Sequence, residues 1–243
     1  MCAVAKSEAS EARSEPPGAR SEAPVASRVE QLATTLEEDI VLGILMPGQR
    51  LVEDELMLRF GEKRHVVRDA LARLEQAGLV ERRRNIGAQV RGFAEREVLD
   101  LYEMRILLET EAMRRMPLPV PEDELAALQA IQAQHDDAVS QDDHRGVFRS
   151  NQAFHEKLFS LCGNQLLAQA IHEYARRAHA IRFGALSTPE QQHRSRLEHH
   201  EILRALQTGD RGALIRLVHE HLLPSRDRYL ALARARERAA RCT

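Results

Sequence analysis

The chain contains few of the residues that build disulfide frameworks or aromatic cores. Its three cysteines, Cys2, Cys162 and Cys242, are so widely spaced that they predict neither a disulfide framework nor a cysteine zinc site. Tryptophan is absent and aromatic residues make up 4% of the chain, so we expect an aliphatic core. No stretch approaches about 18 uninterrupted apolar residues, and the N-terminus has no apolar signal segment. We therefore expect a soluble protein of the reducing cytoplasm, without a membrane partner.

Motifs of common enzyme classes are also missing. The sequence has no glycine-rich phosphate loop and no ordered Ser, His and Asp set that would support nucleophilic catalysis. The formal net charge of -2 argues against a protein that binds polyanions with its whole surface. A nucleic-acid-binding function therefore requires a local concentration of positive charge.

Composition and periodicity divide the chain into three parts. Residues 1–26 are rich in Ala, Ser, Glu and Pro and are predicted to be a disordered tail. Residues 27–92 have the order helix, helix, helix, hairpin, whereas residues 93–238 have long amphipathic helices without a convincing strand. The predicted fold class is mostly α, with an N-terminal winged helix-turn-helix and a C-terminal all-α antiparallel helical bundle.

Positive charge is concentrated in one segment. From Arg59 to Arg91 there are nine basic residues and four acidic ones. The first half has apolar residues at helical spacing, which end at Gly78, where a left-handed residue would close the helix. The basic residues of the opposite face lie at its beginning, where a recognition helix reaches base edges and phosphates: Lys63, Arg64, His65 and Arg68. A β-hairpin with its turn at residues 84–87 follows, so the segment predicts a DNA-binding winged helix.

Two helices are predicted before this segment. A first helix begins with Ser27 as its N-cap and stops near Gly43, and a second runs from about Glu53 to Phe60 and is closed by Gly61. Between them, the sequence MPGQRL reverses the chain as a turn.

About six helices are predicted after Gly92. The breaks fall at residues 117–121, 141–143, 163, 187–189 and 208–212. Their apolar positions suit an antiparallel bundle: Val98, Leu101, Ile106, Leu107, Leu108, Leu125, Leu128, Ile131, Val147, Phe154, Leu158, Leu166, Leu167 and Ile171.

Three histidines of this bundle are predicted to converge. Asn151 and His155 are four residues apart and share one face of a helix. His199 and His221 flank the break at residues 208–212, so a helical hairpin places both roughly 15 Å from the turn, at a similar height. If the helix of His155 packs beside that hairpin, three imidazoles and one amide oxygen meet inside the bundle. Such a nitrogen-rich site suits zinc, nickel or another borderline divalent ion.

Spacing leaves alternatives open at several of these positions. Most of the eleven histidines must be surface or hydrogen-bonded core residues. His172 competes as a ligand, whereas His200 is expected to face solvent because adjacent helical residues point about 100° apart. Arg105 supplies positive charge for an anionic ligand or forms a surface ion pair with Glu109.

The ordered set of motifs resembles the GntR family of bacterial transcription regulators, in particular its FadR-like branch with an all-helical FCD effector domain. The resemblance covers about residues 27–235. Its N-terminal motifs are PGQRL (47–51), RHVVRDALARLEQAGLV (64–80) and NIGAQV (85–90). Its C-terminal motifs are YEMRILLE (102–109), NQAFHEKL (151–158), CGN (162–164), EHHEILRAL (198–206), GD (209–210) and HEHL (219–222).

The resemblance implies a role for each matching residue. The family's contacts to an operator in double-stranded DNA fall on Arg50, Lys63, Arg64, His65, Arg68 and the wing around Gly87. Its metal ligands fall on Asn151, His155, His199 and His221, and Arg105 matches an arginine of the pocket for a small organic acid effector. The implied protein is a homodimer and not an enzyme, with no catalytic residues, and it represses nearby metabolic genes until the effector weakens DNA binding.

Several residues depart from the family pattern. Val52 and Lys63 stand where Ser or Thr usually caps a helix, and losing such a cap costs about 1 kcal/mol. His65 and Val66 replace a common Thr-Pro pair, and Ile86 replaces a wing arginine, so operator preference does not carry over. Asn151 is neutral where relatives often have Asp, so we expect weaker or more selective metal binding.

Two other functions fit parts of the sequence. A metal-dependent hydrolase would use the histidines as a catalytic site, with Glu156 or Glu198 as the general base. However, helix neighbours of a ligand point away from the metal, and a hydrolase needs no basic recognition helix. The second alternative is a metal-free regulator that binds an acyl lipid.

Overall fold

Helices dominate the protein, in agreement with the predicted fold class. The computed structural model describes residues 24–83, 87–182 and 188–241. Residues 84–86 of the predicted wing turn, Ser187 of the predicted break at residues 187–189, and residues 1–23 of the predicted tail lie outside these ranges. Two of the cysteines, Cys2 and Cys242, lie outside them as well, and Cys162 is buried as a free thiol.

The N-terminal part consists of three helices and a small sheet. The helices are α1 (Val25–Val41), α2 (Glu53–Phe60) and α3 (Arg64–Gln76). The predicted second helix is confirmed at both ends, and Gly61 closes it with φ +66°. Gly78 follows α3 with φ +75°, a conformation that a side chain would strain. This glycine turns the chain from the basic helix into the sheet.

The sheet has three antiparallel strands in the order β1, β3, β2. These are β1 (Arg50–Leu51), β2 (Val80–Arg83) and β3 (Gly87–Val90). The predicted hairpin is confirmed by the pairing of Val80 with Val90 and of Arg83 with Gly87. β1 corrects the prediction of a simple turn at residues 46–51, because Arg50 pairs with Gln89 and ties this segment to the wing.

The predicted start of the first helix is wrong. α1 begins at Val25, directly after Pro24, and Ser27 lies inside the first turn rather than at the N-cap. A proline fits at this end because the first helical amides have no acceptor within the helix. α1 therefore begins two residues before the predicted N-cap.

The C-terminal part is a bundle of long helices. Within the described residues, six α-helices follow Gly92, as predicted: α4 (Glu95–Arg115), α5 (Glu122–Ser140), α6 (His144–Ser160), α7 (Gln165–Arg177), α8 (Pro189–Thr208) and α9 (Arg211–Arg241). A single 3-10 turn, Ala178–Ala180, follows α7. Gly209, with φ +68°, separates α8 from α9, so the predicted helical hairpin is confirmed.

The core is aliphatic, as the composition predicts. The larger cluster of the bundle contains Leu128, Phe154, Leu158 and Ile202, each fully buried or nearly so. Two predicted core positions are wrong, because Leu107 is 55% and Leu166 77% exposed. Each of the two helices buries only one face. Other residues of the helix occupy that face, and Leu107 and Leu166 lie outside it.

Acidic residues at the end of α1 join the two parts of the molecule. Glu38 and Asp39 are 1% and 0% exposed, although both are charged. Arg145 of α6 donates to Glu38 Oε2 and to Asp39 Oδ1, each at 2.5 Å, and Arg149 donates to Glu38 Oε1 at 2.5 Å. Glu37, the third member of this acidic cluster (Glu37, Glu38 and Asp39), contacts the end of α7 as described below. Burying these carboxylates is tolerated because each has a cationic partner.

Among the described residues, no helix is long and apolar enough to cross a bilayer.

Replacing Glu38 with Gln removes the carboxylate that Arg145 and Arg149 share. Because both arginines are partly exposed and can rehydrate, we expect the free energy of unfolding to fall by about 1–3 kcal/mol. Denaturant unfolding at neutral pH measures this. The matched control Glu201→Gln removes an exposed ion pair with Arg204 and should change little. Equal effects of the two substitutions would contradict the assigned role of Glu38.

Candidate nucleic-acid interface and metal centre

α3 presents opposite faces to the core and to solvent. Val66, Val67, Ala70, Leu71 and Leu74 are buried in the N-terminal core. The four predicted contact residues at its beginning are all exposed: Lys63, Arg64, His65 and Arg68. A helix that leaves a basic face open beside a small wing has the geometry of a major-groove reader.

Acidic residues at the start of α2 form ion pairs with Arg64 of α3. Arg64 donates to Asp54 Oδ1 at 2.6 Å and to Glu53 Oε2 at 3.4 Å. The Arg64 side chain is 56% exposed, so these ion pairs contribute little to stability. The cap residues Val52 and Lys63 make no side-chain capping bond, as predicted from the absence of Ser or Thr.

The other two predicted DNA contacts lie on the sheet. Arg50 of β1 and Gly87 of β3 are both exposed. Gly87 adopts φ +88° where β3 leaves the wing turn, and its open surroundings allow close approach of a backbone. Ile86, the predicted departure from the wing pattern, lies outside the described residues.

Three histidines from three helices converge in the bundle. One nitrogen each from His155 of α6, His199 of α8 and His221 of α9 lies within 4.8 Å of the others. His155 Nε2 and His221 Nε2 are 3.1 Å apart. The predicted convergence of these three side chains is present in the structure.

Outer hydrogen bonds orient two of the rings. The Nδ1 of His199 lies 2.8 Å from Gln132 Oε1, and the Nδ1 of His221 lies 2.6 Å from Glu198 Oε2. Both oxygens can only accept, so Nδ1 of each ring carries a proton. In a neutral ring of this tautomer, the Nε2 lone pair is directed at the cluster. Support of this kind is typical of metal-ligating histidines.

Burial favours the neutral imidazole at two of the three histidines. Burial lowers the pKa of His155 well below its ordinary value, and the neighbouring His221 lowers it further. Burial acts in the same way on the pKa of His199, whose Nε2 has no hydrogen-bond partner among the described residues. Neutral nitrogens are the form that binds a divalent ion, so the donor set fits zinc or nickel.

Asn151 lies one helical turn from His155 and is fully buried. Its Oδ1 accepts a hydrogen bond from Ser195 Oγ at 3.4 Å, while its Nδ2 has no partner among the described residues. If the Asn151 amide is rotated by 180°, Nδ2 donates to Ser195 Oγ, and Oδ1 becomes available as a metal ligand. Its chemistry is therefore compatible with the predicted role.

Three other polar residues predicted near the site have different roles. His172 is not brought to the cluster, since its side chain is 47% exposed and pairs with Glu156 at 3.2 Å. His200 is partly exposed, as predicted, and contacts Asp136. Glu198 was expected to point away, but the packing of α8 against α9 directs it to His221. Because this contact engages Glu198, the carboxylate orients a ring.

The sequence did not reveal His135 of α5. This fully buried ring packs edge-on against His199, with centroids 5.0 Å apart, and both of its nitrogens lack a partner among the described residues. Burial lowers its pKa to about 4. α5 carries no motif that would mark this position, because the contact depends on how α5 packs against α8.

Two cavities meet beside the histidines. The larger has a volume of about 360 Å³ and the smaller about 130 Å³, and both are lined by Arg105, His155 and Arg182. Arg105 is buried and its Nε donates to Glu109 Oε1 at 2.9 Å. Arg105 therefore forms the predicted ion pair with Glu109, but as a buried pair and not on the surface, and it also lines the cavity.

A basic helix beside a three-stranded wing, joined to a helical bundle with a cavity at three histidines, defines a DNA-binding regulator with a ligand-binding domain. The sequence matches the bacterial regulatory proteins of the gntR family over residues 28–90 and the FCD domain over residues 100–223. The chain belongs to this family of transcriptional regulators, which are DNA-binding proteins and not enzymes.

Individual relatives agree with this assignment. The HTH-type transcriptional repressor RspR of Escherichia coli (strain K12) is 28% identical over 196 residues, which cover 79% of this chain and 85% of the relative. A GntR transcriptional regulator from Rhodococcus sp. RHA1 has a similar fold, with a TM-score of 0.68 and 23% identity over 84% of this chain and 98% of its own. E. coli McbR/YncC has a TM-score of 0.67 and 18% identity over 85% and 98% of the two chains.

Acid should destabilise the metal-free protein through its buried histidines. A histidine of the unfolded chain has a pKa near 6.5, whereas the pKa of His135 in the folded protein is about 4. Between these pH values, the unfolded chain binds one more proton at this position than the folded chain. The free energy of unfolding therefore falls as the pH falls. We expect His135→Leu to reduce this loss by about 1.4 kcal/mol per pH unit. Denaturant unfolding between pH 7 and pH 4 measures it.

The matched control for this prediction is His193→Gln, since His193 lies exposed on α8. It should leave the pH profile unchanged. A profile of His135→Leu that superimposes on that of the unsubstituted protein would contradict the prediction.

Proposed function

We propose that the protein is a repressor whose binding to operator DNA is controlled by a small carboxylate, held in a metal-containing cavity of the FCD domain. The observation that carries this proposal is the histidine cluster, which opens onto a cavity that also contains arginine side chains. A binding site of this composition selects an anion that can also contact a metal ion. As an operator-binding regulator, the protein would act in the cytoplasm.

The metal proposed for this site is zinc or nickel, with His155, His199, His221 and Asn151 as ligands. Three imidazoles match the donor preference of these ions. A bound ion supplies a Lewis-acidic centre for an oxygen of the effector. Arg105 adds a guanidinium nearby, and Glu109 fixes its orientation from within the same helix.

A direct contact between the cavity wall and the DNA-binding part supports the proposed control. His179 lines the larger cavity, and its Nδ1 lies 2.6 Å from Glu37 Oε1 of α1. Arg176 lines the same cavity and donates to Glu37 Oε2 at 3.3 Å. Burial raises the pKa of Glu37, but His179 and Arg176 outweigh it and lower the pKa below its ordinary value. A ligand that displaces either partner therefore changes how α1 is held.

The proposed DNA contacts are the exposed residues at the start of α3 and on the sheet. We assign phosphate and base contacts to Arg50, Lys63, Arg64, His65 and Arg68, and backbone approach to Gly87. A homodimer is part of the proposal, because two winged helices related by a two-fold axis read an inverted repeat. The exposed Leu107 of α4 offers apolar surface for a second copy.

The two alternatives receive less support. A hydrolase needs a free general base, but Glu198 contacts both His221 and Arg194, and Glu156 faces His172. A long acyl chain needs an uninterrupted apolar tunnel. The wall of the larger cavity is mainly apolar, but polar side chains interrupt it: Gln152, Glu156, Gln165, Gln169 and His172.

Substitutions on α3 test the DNA-binding proposal. Arg68→Ala should weaken binding to all sequences, whereas Arg64→Ala should reduce discrimination at one base position by about 1–3 kcal/mol. Lys63→Ala should lower the slope of log affinity against log salt by about one. A duplex selected from a random pool is titrated at several salt concentrations, and footprinting shows whether the site is an inverted repeat.

Arg204→Ala serves as the control on this assay, since Arg204 is exposed on α8, in the other domain. An affinity independent of salt, or identical losses for all four alanine variants, would disprove the assigned interface.

Zinc titration of the full chain tests the metal centre. We expect one zinc ion per chain, lost in His199→Ala and retained in His200→Ala, because His200 faces Asp136 outside the cluster. Asn151→Asp adds a charged oxygen ligand and should tighten zinc binding by about tenfold or more. Calorimetry or competition with a chromophoric chelator measures both effects.

Equal zinc affinities of His199→Ala and His200→Ala would disprove the proposed ligand set. Loss of zinc should also remove any effect of organic acids on DNA affinity. Retention of that effect in His199→Ala would favour the metal-free alternative.

A further inference from the structure

Arg182 is a cavity-lining cation whose side chain has no ion-pair partner among the described residues. It follows the 3-10 turn after α7 and lines both the larger and the smaller cavity. Among the described residues, its guanidinium group forms no hydrogen bond and no ion pair, whereas its backbone N–H donates to Ala178 O. Burial and the nearby charge of Arg105 lower its pKa to about 10, so the guanidinium stays protonated at neutral pH.

The other charged groups around the two cavities are already paired. Arg105 is neutralised by Glu109, Arg194 by Glu198, and Arg176 by Glu37. A partly buried cation that lacks such a partner loses hydration without compensation. Arg182 is therefore the side chain of this wall that gains most from an anionic ligand.

The histidine cluster also lacks negative charge. Its close group of ligand atoms contains three histidine nitrogens and no carboxylate oxygen. Asn151, the fourth proposed ligand, is neutral, and Glu198 is engaged by His221 and Arg194. The ligands would therefore not neutralise a divalent ion bound here, and its positive charge would attract an anionic effector.

We propose that Arg182 is a second anion-binding residue of the cavity and that the effector is a small dicarboxylate. One carboxylate faces the metal and histidine centre, and the other binds Arg182. This assignment rests on the proposed function and specifies its ligand. It follows from two separate positive centres beside the two cavities, Arg182 and the proposed metal ion. A monocarboxylate would leave one of them without a counter-ion. The guanidinium suits the second carboxylate because its fork of N–H groups accepts a bidentate partner.

The test compares acids of equal length on the zinc-loaded full chain. Succinate is paired with butyrate, and glutarate with valerate, in calorimetric titrations up to millimolar concentrations. We expect each dicarboxylate to bind about ten- to a hundredfold more tightly than its partner, because a hydrogen bond to a charged group has this magnitude. Arg182→Gln should abolish that preference and leave zinc affinity unchanged, whereas Arg182→Lys should keep part of it.

The matched control is Arg177→Gln. Arg177 ends α7, pairs with Glu173 and does not line either cavity, so the preference should remain. The inference is overturned if Arg182→Gln keeps the full preference, or if the unsubstituted chain binds dicarboxylates no more tightly than their partners or not at all. Failure of zinc to bind, by contrast, would count against the proposed function itself.

Discussion

Burial of the acidic cluster at the end of α1 is the constraint on which the relative position of the two functional sites depends. Three carboxylates leave water there, and such burial is tolerated only because arginines and a histidine of the FCD domain meet them. The packing of Val41 against Phe148 adds an apolar contact at the same place. This contact sets where α3 stands relative to the cavity.

The cavity and this contact share side chains. His179 and Arg176 belong to the cavity wall and at the same time hold Glu37. A change at the wall therefore does not need a long path through the bundle to reach the DNA-binding part. The two parts of the molecule meet at the end of one helix, and the same few ionic groups form both the wall and the contact.

Most of the fold could be predicted from the sequence, because helices leave a periodic signal. α2 was predicted at both ends, since Gly61 and the apolar spacing mark a short amphipathic helix. β1 could not be predicted, because two residues are too few for an alternating pattern, and its existence depends on pairing with β3. The start of α1 was misplaced because Ser27 is a common cap residue, whereas Pro24 is the residue that precedes the helix.

The site was predictable where its residues share a helix or a hairpin. His199 and His221 flank one turn, so their spacing along the chain predicts that they meet. His135 and Gln132 come from α5, and Arg182 follows the 3-10 turn after α7. Their positions depend on how separate helices pack against one another. The spacing of residues within one helix does not predict such contacts.

The ion pairs of Arg64 and those of Glu38 differ in their exposure to solvent, and we therefore expect them to respond differently to salt. Arg64 meets its acidic neighbours in open solvent, where mobile ions weaken electrostatic attraction, while Glu38 is almost wholly shielded from those ions. Added salt should therefore weaken the exposed Arg64 pairs more than the buried ion pairs that join the two parts of the molecule.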